Sequence, residues 1–545
     1  MDNTINIIDS SIIIVYLMGI LVIGVLSVRL KKMTSDGYFL AGRGLNWILV
    51  GAALFASNIS TIHLVGLAAS GYNEGLVWGN FEWLAAITLI MLGLIFAPFY
   101  FKSKISTLPE FLEKRYDSRS RTVMAFIAIV GALFVHIGMS LYAGAVVFET
   151  FFGINVVTSI LVISIITTIY TVLGGLKAVV VTETVQSVIL IIGAVVLTGF
   201  ALFALSDAGI INLADFKANI KPGQLKILHT KESLGALGGD TGLTWYACLL
   251  GYPVLGLWYW CSDQTIVQRV LGAKTQSDAQ LGPILAGFLK ILPVFILVFP
   301  GVIAYVLFKD IIGTNANMAL PVMINELLPV GLKGLMAATL LAALMSTIAA
   351  ALNSSATLVA VDIVKRINPG ISDKKQIKTG RYAAVVVMLL AMAWSTQGGK
   401  FSSIFEAINK IASAIAPPVA VVFLFGVFSK RGTRHAAFLT LISGLFLGIT
   451  AFCVDFEPIS GYMYLTKGLG IPFMMQAWWL FVLCTVIYFS VSFVTQQSSS
   501  EVIKKYTWDK PLAVITRDKF YGLKDSRLWA GVLILSLIIL YSIFS

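Results

Sequence analysis

Polar side chains are scarce in the apolar stretches of this chain, and where they occur their types suit binding rather than bond-making. The run Ala56-Ser57-Asn58-Ile59-Ser60-Thr61 interrupts an apolar segment, His63 follows, and Glu82 stands in the next segment. An unpaired peptide group costs about 2–7 kcal/mol away from water, so a helix broken in hydrocarbon must line something polar, an ion or a solute. The alternative is that Ser57, Ser60 and Thr61 bond back to their own turn. Far downstream, Ala343, Ser346 and Thr347 share one helix face by i, i+3, i+4 spacing. Set against carbonyls freed at Ala56 and Ile59, their hydroxyls would supply roughly four or five neutral oxygens, a set suited to a small hard cation such as sodium.

Other polar residues recur in apolar surroundings. Gly256-Leu257-Trp258-Tyr259-Trp260-Cys261-Ser262-Asp263-Gln264 puts aromatic bulk and a carboxylate where an uninterrupted span would be aliphatic, and Pro253 just upstream can break the helix. Lys290 lies deep in an uncharged apolar stretch, so a carboxylate or a hydroxyl partner is expected rather than snorkelling. Phe405-Glu406-Ala407-Ile408-Asn409-Lys410 precedes Pro417-Pro418, and Asn409 can offer a solute both donor and acceptor. Glu183 follows the turn at Gly174-Gly175, either satisfied by a helix N-terminus or on an ion path. His136, alone on an apolar span, reads as a packing residue. The histidines are not at metal spacing, and phosphate-loop, His-x-x-x-His and Gly-x-Ser-x-Gly patterns are missing, so the chain does not read as an enzyme. Cys248, Cys261, Cys453 and Cys484 read as small apolar fillers.

The elements that hold these residues are membrane helices. Of 545 residues, 58% are hydrophobic and 12% charged, with a mean hydropathy of +0.89, which excludes a set of soluble domains. Fourteen apolar runs can each cross a bilayer, among them 45–69, 155–174, 179–206 and 243–268. The first lacks a cleavage site and reads as a span, not a signal peptide. The net charge of +12 does not mark a nucleic-acid partner, because assigning alternate loops to one side collects 29 of the 39 basic residues there. The positive-inside rule makes that side cytoplasmic and puts both termini outside. Lys104 to Phe111 reads as a connector with a short surface helix. The break in 45–69 recurs in 243–268, five spans later, and paired discontinuous segments point to a transporter site near the midplane. With no nucleotide motif, the energy would come from an ion gradient.

Several of these runs together resemble the sodium/glucose cotransporters of the solute:sodium symporter family. They are Ala56-Ser57-Asn58-Ile59, His63, Phe81-Glu82-Trp83, Tyr170-Thr171-x-x-Gly174-Gly175-Leu176, Leu257-Trp258-Tyr259-Trp260-Cys261-x-Asp263-Gln264, Phe288-Leu289-Lys290, Asn353-Ser354 and Asp362-Ile363. The resemblance spans about residues 10–455 and implies an all-α membrane protein with the leucine-transporter-type inverted five-helix repeat, working by alternating access. It implies an extra N-terminal helix at 1–30, repeats at 45–207 and 243–429, and C-terminal helices at 434–545 with a basic cytoplasmic linker at 496–527. It places sodium on the carbonyls of Ala56, Ile59 and Ala343 and the hydroxyls of Ser346 and Thr347. It places a sugar on Asn58, His63, Glu82, Lys290 and Asn409, with Tyr259 beneath the ring as a gate and Trp260 beside it. Leu67, Phe81 and Phe405 match an outer gate.

This chain departs from that pattern in places. Asn409 stands for a usual Gln, Gly256 for a polar residue, Ala85 for a hydroxyl and Glu183 for the usual Asp. Ala349 and Ala350 replace the hydroxyls of a second sodium site, so one sodium per sugar is expected. Alternatives are a sodium symporter for another solute, such as myo-inositol or sialic acid, and a channel or sensor without coupled transport. Which sugar is carried and the oligomeric state stay open.

Overall fold

A computed structural model describes residues 6–27, 33–238, 242–396, 404–508 and 520–545, and of residues 151–152 and 404–407 the backbone alone. The elements used below are α1 (Ile7–Leu26), α2 (Trp47–Asn58), α3 (Thr61–Glu74), α4 (Gly79–Met91), α5 (Leu108–Arg115) and α6, which runs from Ser118–Gly131 through wider winding at Ala132–Met139 into Ser140–Phe152. They continue with α7 (Val156–Asp207), α8 (Trp245–Gly256, continued by Leu257–Ser262), α9 (Gln264–Leu271), α10 (Gln276–Leu289), α11 (Phe299–Ile312), α12 (Leu332–Thr357), α13 (Asp373–Ser395), α14 (Ile404–Phe428), α15 (Arg434–Asp455), α16 (Phe473–Val494) and α17 (Ser526–Phe544).

Among the described residues, eleven helices are long and apolar enough to cross a membrane. The difference from fourteen expected segments lies at three places. Segments 155–174 and 179–206 fall in the single stretch α7, while 45–69 and 243–268 are each divided into short helices, the second half of the former running on toward α4. Within α7 the chain turns sharply at Gly175 (φ 59°, ψ −154°), where a Cβ would sit 2.3 Å from the Tyr38 carbonyl oxygen. Only glycine meets both conditions.

Apolar burial grades from centre to rim. Nearly every residue of α12 from Met336 to Thr357 is buried. By contrast α1, α13, α15, α16 and α17 expose aliphatic and aromatic side chains, such as Ile14, Leu389, Phe446, Val494 and Leu535, as a lipid-facing surface requires. The contact between α3 and α11 is set by small residues. A Cβ on Gly71 would lie 2.0 Å from the Val298 carbonyl oxygen, and one on Gly301 would lie 2.0 Å from that of Ala68. The two backbones touch directly, as membrane helices do when small residues line the contact.

Two basic residues counted above among loop charges are interior. Arg115 is fully buried at the end of α5 and donates to the carbonyls of Gly426 and Ser429, each at 2.8 Å, so its charge caps the C-terminus of α14. Leu108, Phe111 and Leu112 are fully buried as well, so α5 is wedged into the protein rather than lying on its surface. Arg269, on α9, is also fully buried.

The Gly71–Gly301 crossing predicts that Gly71→Val destabilises the protein by at least the roughly 1–3 kcal/mol typical of overpacking, because the clash is with rigid backbone. Melting of the detergent-solubilised protein, compared with Gly199→Val where the added Cβ meets open space, would show it. Equal midpoints for the two variants would refute it.

Candidate functional site

The polar run that interrupts the second span folds as its residue types dictate. Helix α2 stops at Asn58, Ile59 is extended (φ −80°, ψ 103°), and Ser60 starts α3. His63 Nδ1 accepts from the Ser60 backbone N–H at 3.3 Å, one half of a capping box. Thr61 Oγ1 donates to the Leu340 carbonyl at 2.8 Å, pinning the restart to α12.

Facing the last turn of α2 are the two hydroxyls of α12. Ser346 Oγ lies 2.8 Å from the Ala56 carbonyl oxygen and 3.0 Å from that of Ala343. Thr347 Oγ1 lies 3.1 Å from the Ser57 carbonyl oxygen and 3.2 Å from that of Ala343. Five oxygens are gathered around two hydroxyl protons, and each hydroxyl can donate to only one of its two carbonyls. The cluster therefore holds more oxygen lone pairs than protons. The partners of Thr347 are the carbonyls of Ser57 and Ala343; that of Ile59, expected in the set from the helix break, is not among them. Among the described residues no group of three His, Cys, Asp or Glu side chains could hold a metal ion, and the five oxygens gathered here are carbonyl and hydroxyl oxygens without charge.

The second break has a different construction. From Leu257 to Ser262 the helix widens to π winding, Ser262 Oγ donates back to the Trp258 carbonyl at 3.0 Å, and Asp263 is extended. The Asp263 carboxylate then caps α9, accepting from the Thr265 N–H at 2.7 Å. The widened turn carries Trp258, Tyr259 and Trp260 to one side, with Tyr259 and Trp260 edge to face at 5.0 Å.

Between the two breaks is a cavity of about 130 Å³, and Asn58, His63, Phe81, Glu82, Tyr259, Trp260, Lys290 and Asn409 all line it. Lys290 stands where α10 ends; its ammonium pairs with the Glu82 carboxylate, donates to Asn58 Oδ1 at 2.6 Å, and lies 5.8 Å from the Trp260 ring centre. Phe81 stacks on Trp78 at 5.2 Å and meets Tyr252 edge-on at 5.4 Å, forming an aromatic wall. Leu67 is fully buried in the core and is not among the lining residues. Phe405 falls outside the residues whose side chains are described.

Glu183 is satisfied by a side chain rather than by a helix end. Both its oxygens pair with the Arg269 guanidinium, the Nε contact being 3.2 Å, and Ser57 Oγ lies 2.9 Å from Oε1. Ser57 thus touches the oxygen cluster through its carbonyl, while its hydroxyl lies between the Ala53 carbonyl of its own turn, at 2.6 Å, and the buried ion pair. His136, expected to be a satisfied packing residue, has a partner and also lines the cavity: its Nε2 is 2.9 Å from Asp263 Oδ2. Ser140, one turn on, and Tyr252 line it too. Sequence reasoning had no access to these because their partners come from other helices; the lone polar residue in an apolar span was the one signal present.

A model of the Sodium:solute symporter family matches residues 38–444. Sodium/glucose cotransporter 1 of Ovis aries is 32% identical over 539 residues, covering 92% of this chain and 81% of that protein. Sodium/myo-inositol cotransporter 2 of Bos taurus is 33% identical over 534 residues, covering 92% and 78%. Among solved structures, a substrate-bound outward-open Na+-coupled sialic acid symporter aligns with a TM-score of 0.73 at 21% identity, over 91% of this chain and 99% of that one, a likeness of fold. With its interrupted helices in the leucine-transporter-type arrangement, this chain is a multi-pass membrane transporter, not an enzyme, and it belongs to the sodium:solute symporter family.

Proposed function

We propose that this protein imports a neutral monosaccharide of the glucose or galactose kind together with sodium, one ion per sugar, across the cell membrane. The observation that carries the reading is the commitment of Lys290 to Glu82 and Asn58 at the cavity wall. A paired lysine and carboxylate keep donors and acceptors for hydroxyls yet leave no net charge to capture an anionic solute. Together with Asn409, His63 and the aromatic faces of Tyr259 and Trp260, the wall offers polar contacts and a flat apolar surface, which a pyranose matches on its edge and its face. Phe81 and Leu67, with Phe405, would close the outer side, and Tyr259 the inner.

Sodium would take the oxygens of Ala56, Ala343, Ser346 and Thr347, with Ser57 or Ile59 completing the set. The hydroxyl protons would rotate away as the ion arrives. Thr347 belongs to both places, since its hydroxyl is in the oxygen cluster and its side chain lines the cavity. Asn58 adjoins Ser57 in the chain and meets Lys290. Ordering the break with an ion therefore orders the solute wall, and the coupling is reciprocal, worth typically about 5–150-fold in affinity. The segments 45–207 and 243–429 would act as the two repeats that rock about this centre, with both termini outside, and Glu183 would lie on the inner path of the ion.

A second reading, a cyclic polyol as solute, is favoured by the identity to a sodium/myo-inositol cotransporter. Uptake of labelled D-glucose, D-galactose, myo-inositol and sialic acid into proteoliposomes, with and without a sodium gradient, separates the readings. Sodium-dependent accumulation of a hexose with one positive charge moved per sugar is expected; accumulation of sialic acid alone, or a ratio of two, would refute the proposal. Ser346→Ala combined with Thr347→Ala is expected to abolish sodium-driven accumulation while sodium-free exchange of sugar stays measurable. Equal loss of both activities would mean that these hydroxyls only hold α12 against α2.

A further inference from the structure

We infer that His136 is a direct contact for the transported solute that sets its specificity, with Asp263 as the positioning residue. The inference rests on the cavity being the solute site, as proposed above, and deepens that reading by adding a wall contributed by α6.

Three observations carry it. The side chain of His136 is only 10% exposed, yet it borders the cavity, and Ser140 borders it one turn further on the same helix, so α6 presents a polar i, i+4 pair to the solute space. The helix there is π-wound from Ala132 to Met139, a local widening that redirects side chains and is frequent at functional positions. Finally, the ring is held from behind. Asp263 is fixed by its cap on α9, Oδ1 accepting from the Thr265 N–H at 2.7 Å, and its other oxygen is 2.9 Å from His136 Nε2.

The chemistry follows from what a carboxylate can do. An ionised carboxylate only accepts, so the proton of this contact belongs to His136 Nε2. In the neutral ring Nδ1 is then an acceptor, the atom left to take the proton of a solute hydroxyl. A site already holding Lys290 as donor gains a complementary acceptor, and a solute lacking the matching hydroxyl forfeits that bond. The His136 ring also lies 6.0 Å, centre to centre, from that of Tyr259, so the aromatic residue proposed to close beneath the sugar is registered against it.

The test is a substrate-by-mutant cycle on the reconstituted full-length protein, using sodium-driven uptake of D-glucose, D-galactose and their mono-deoxy analogues. His136→Leu is expected to raise KM for the preferred parent sugar about tenfold while kcat changes less than about twofold. For one mono-deoxy analogue, the one lacking the contacted hydroxyl, the same substitution should change KM less than about twofold. Asp263→Asn should reproduce that pattern with the same analogue, and His136→Asn, which keeps a hydrogen-bonding atom at the δ position, should return KM to within about threefold of wild type. If His136→Leu weakens every analogue by one common factor, or lowers kcat with KM intact, His136 is structural and the inference is overturned. Should His136→Leu fail to reconstitute, His136→Asn decides: a parent-sugar KM more than about threefold above wild type, or one shared equally by all analogues, overturns it. Wild-type protein that accumulates no sugar at all would instead sink the underlying reading, and this inference with it.

Discussion

Main-chain amides and carbonyls cannot be left unpaired in a bilayer, and the architecture of this protein follows from how two interrupted helices meet that demand. At the first interruption the answer comes from outside the helix. Ser346 and Thr347 reach across from α12 to the carbonyls of Ala56 and Ser57, and Thr61 reaches back to the carbonyl of Leu340. At the second the Asp263 cap and the back-bond of Ser262 supply a local answer, and Tyr100 adds one from outside by donating to the Cys261 carbonyl at 2.8 Å. The difference matters. Carbonyls satisfied by neutral hydroxyls of a neighbouring helix can exchange those protons for an ion at modest cost, whereas a cap built from the break's own carboxylate is committed.

Ionisable groups around this centre come in pairs. Glu82 is held with Lys290, Glu183 with Arg269, and Asp263 with His136. Burying an ion pair costs several kcal/mol per ion in desolvation, and its replacement by apolar residues is often neutral or stabilising, so Glu82–Lys290 and Glu183–Arg269 are poor candidates for mere props. What they supply is placement. Each joins elements far apart in the chain: α4 to the end of α10, α7 to α9, and α6 to the start of α9. Two of the three converge on α9 and the residue before it, so any tilt of α9 is felt at the inner pair and at the cavity wall together. Ser57 ties the inner pair to the oxygen cluster, which leaves one continuous set of contacts from Arg269 to Thr347.

Much of this was legible in the sequence for a single reason: in an apolar span every polar residue needs a partner, so each exception is a signal. The break at Ile59 and the buried role of Lys290 could be expected on that ground and the turn at Gly175 from its glycine pair, while the convergence of Asn58, His63, Glu82, Tyr259, Trp260 and Asn409 on one cavity was implied by the resemblance to the sodium/glucose cotransporters. What was not legible depends on pairings across the fold. Arg269 and Arg115 sit near span ends, where a basic residue is ordinarily a loop charge, and nothing local distinguishes a guanidinium in a loop from one buried against Glu183 or against the last carbonyls of α14. His136 is 127 residues from Asp263, and without its partner a lone histidine is indistinguishable from a packing residue. Periodicity likewise cannot tell two spans from one stretch with a turn, which is why α7 and the divided helices separate the count of long helices from the number of apolar segments.

The charge accounting also bears on energetics. On the proposed assignment, the ion enters a cluster of neutral oxygens, and the nearest carboxylate, Glu183, is already matched by Arg269. No charge among the proposed ligands then cancels that of the ion, which favours weak, reversible binding and a loaded carrier that moves the ion's charge across the membrane field. Each elementary charge moved gains about 2.3 kcal/mol per 100 mV of membrane potential. A carrier built this way draws on the electrical as well as the chemical part of the sodium gradient. On that assignment, the neutrality that would make the site weak would also let the membrane potential drive accumulation of the solute.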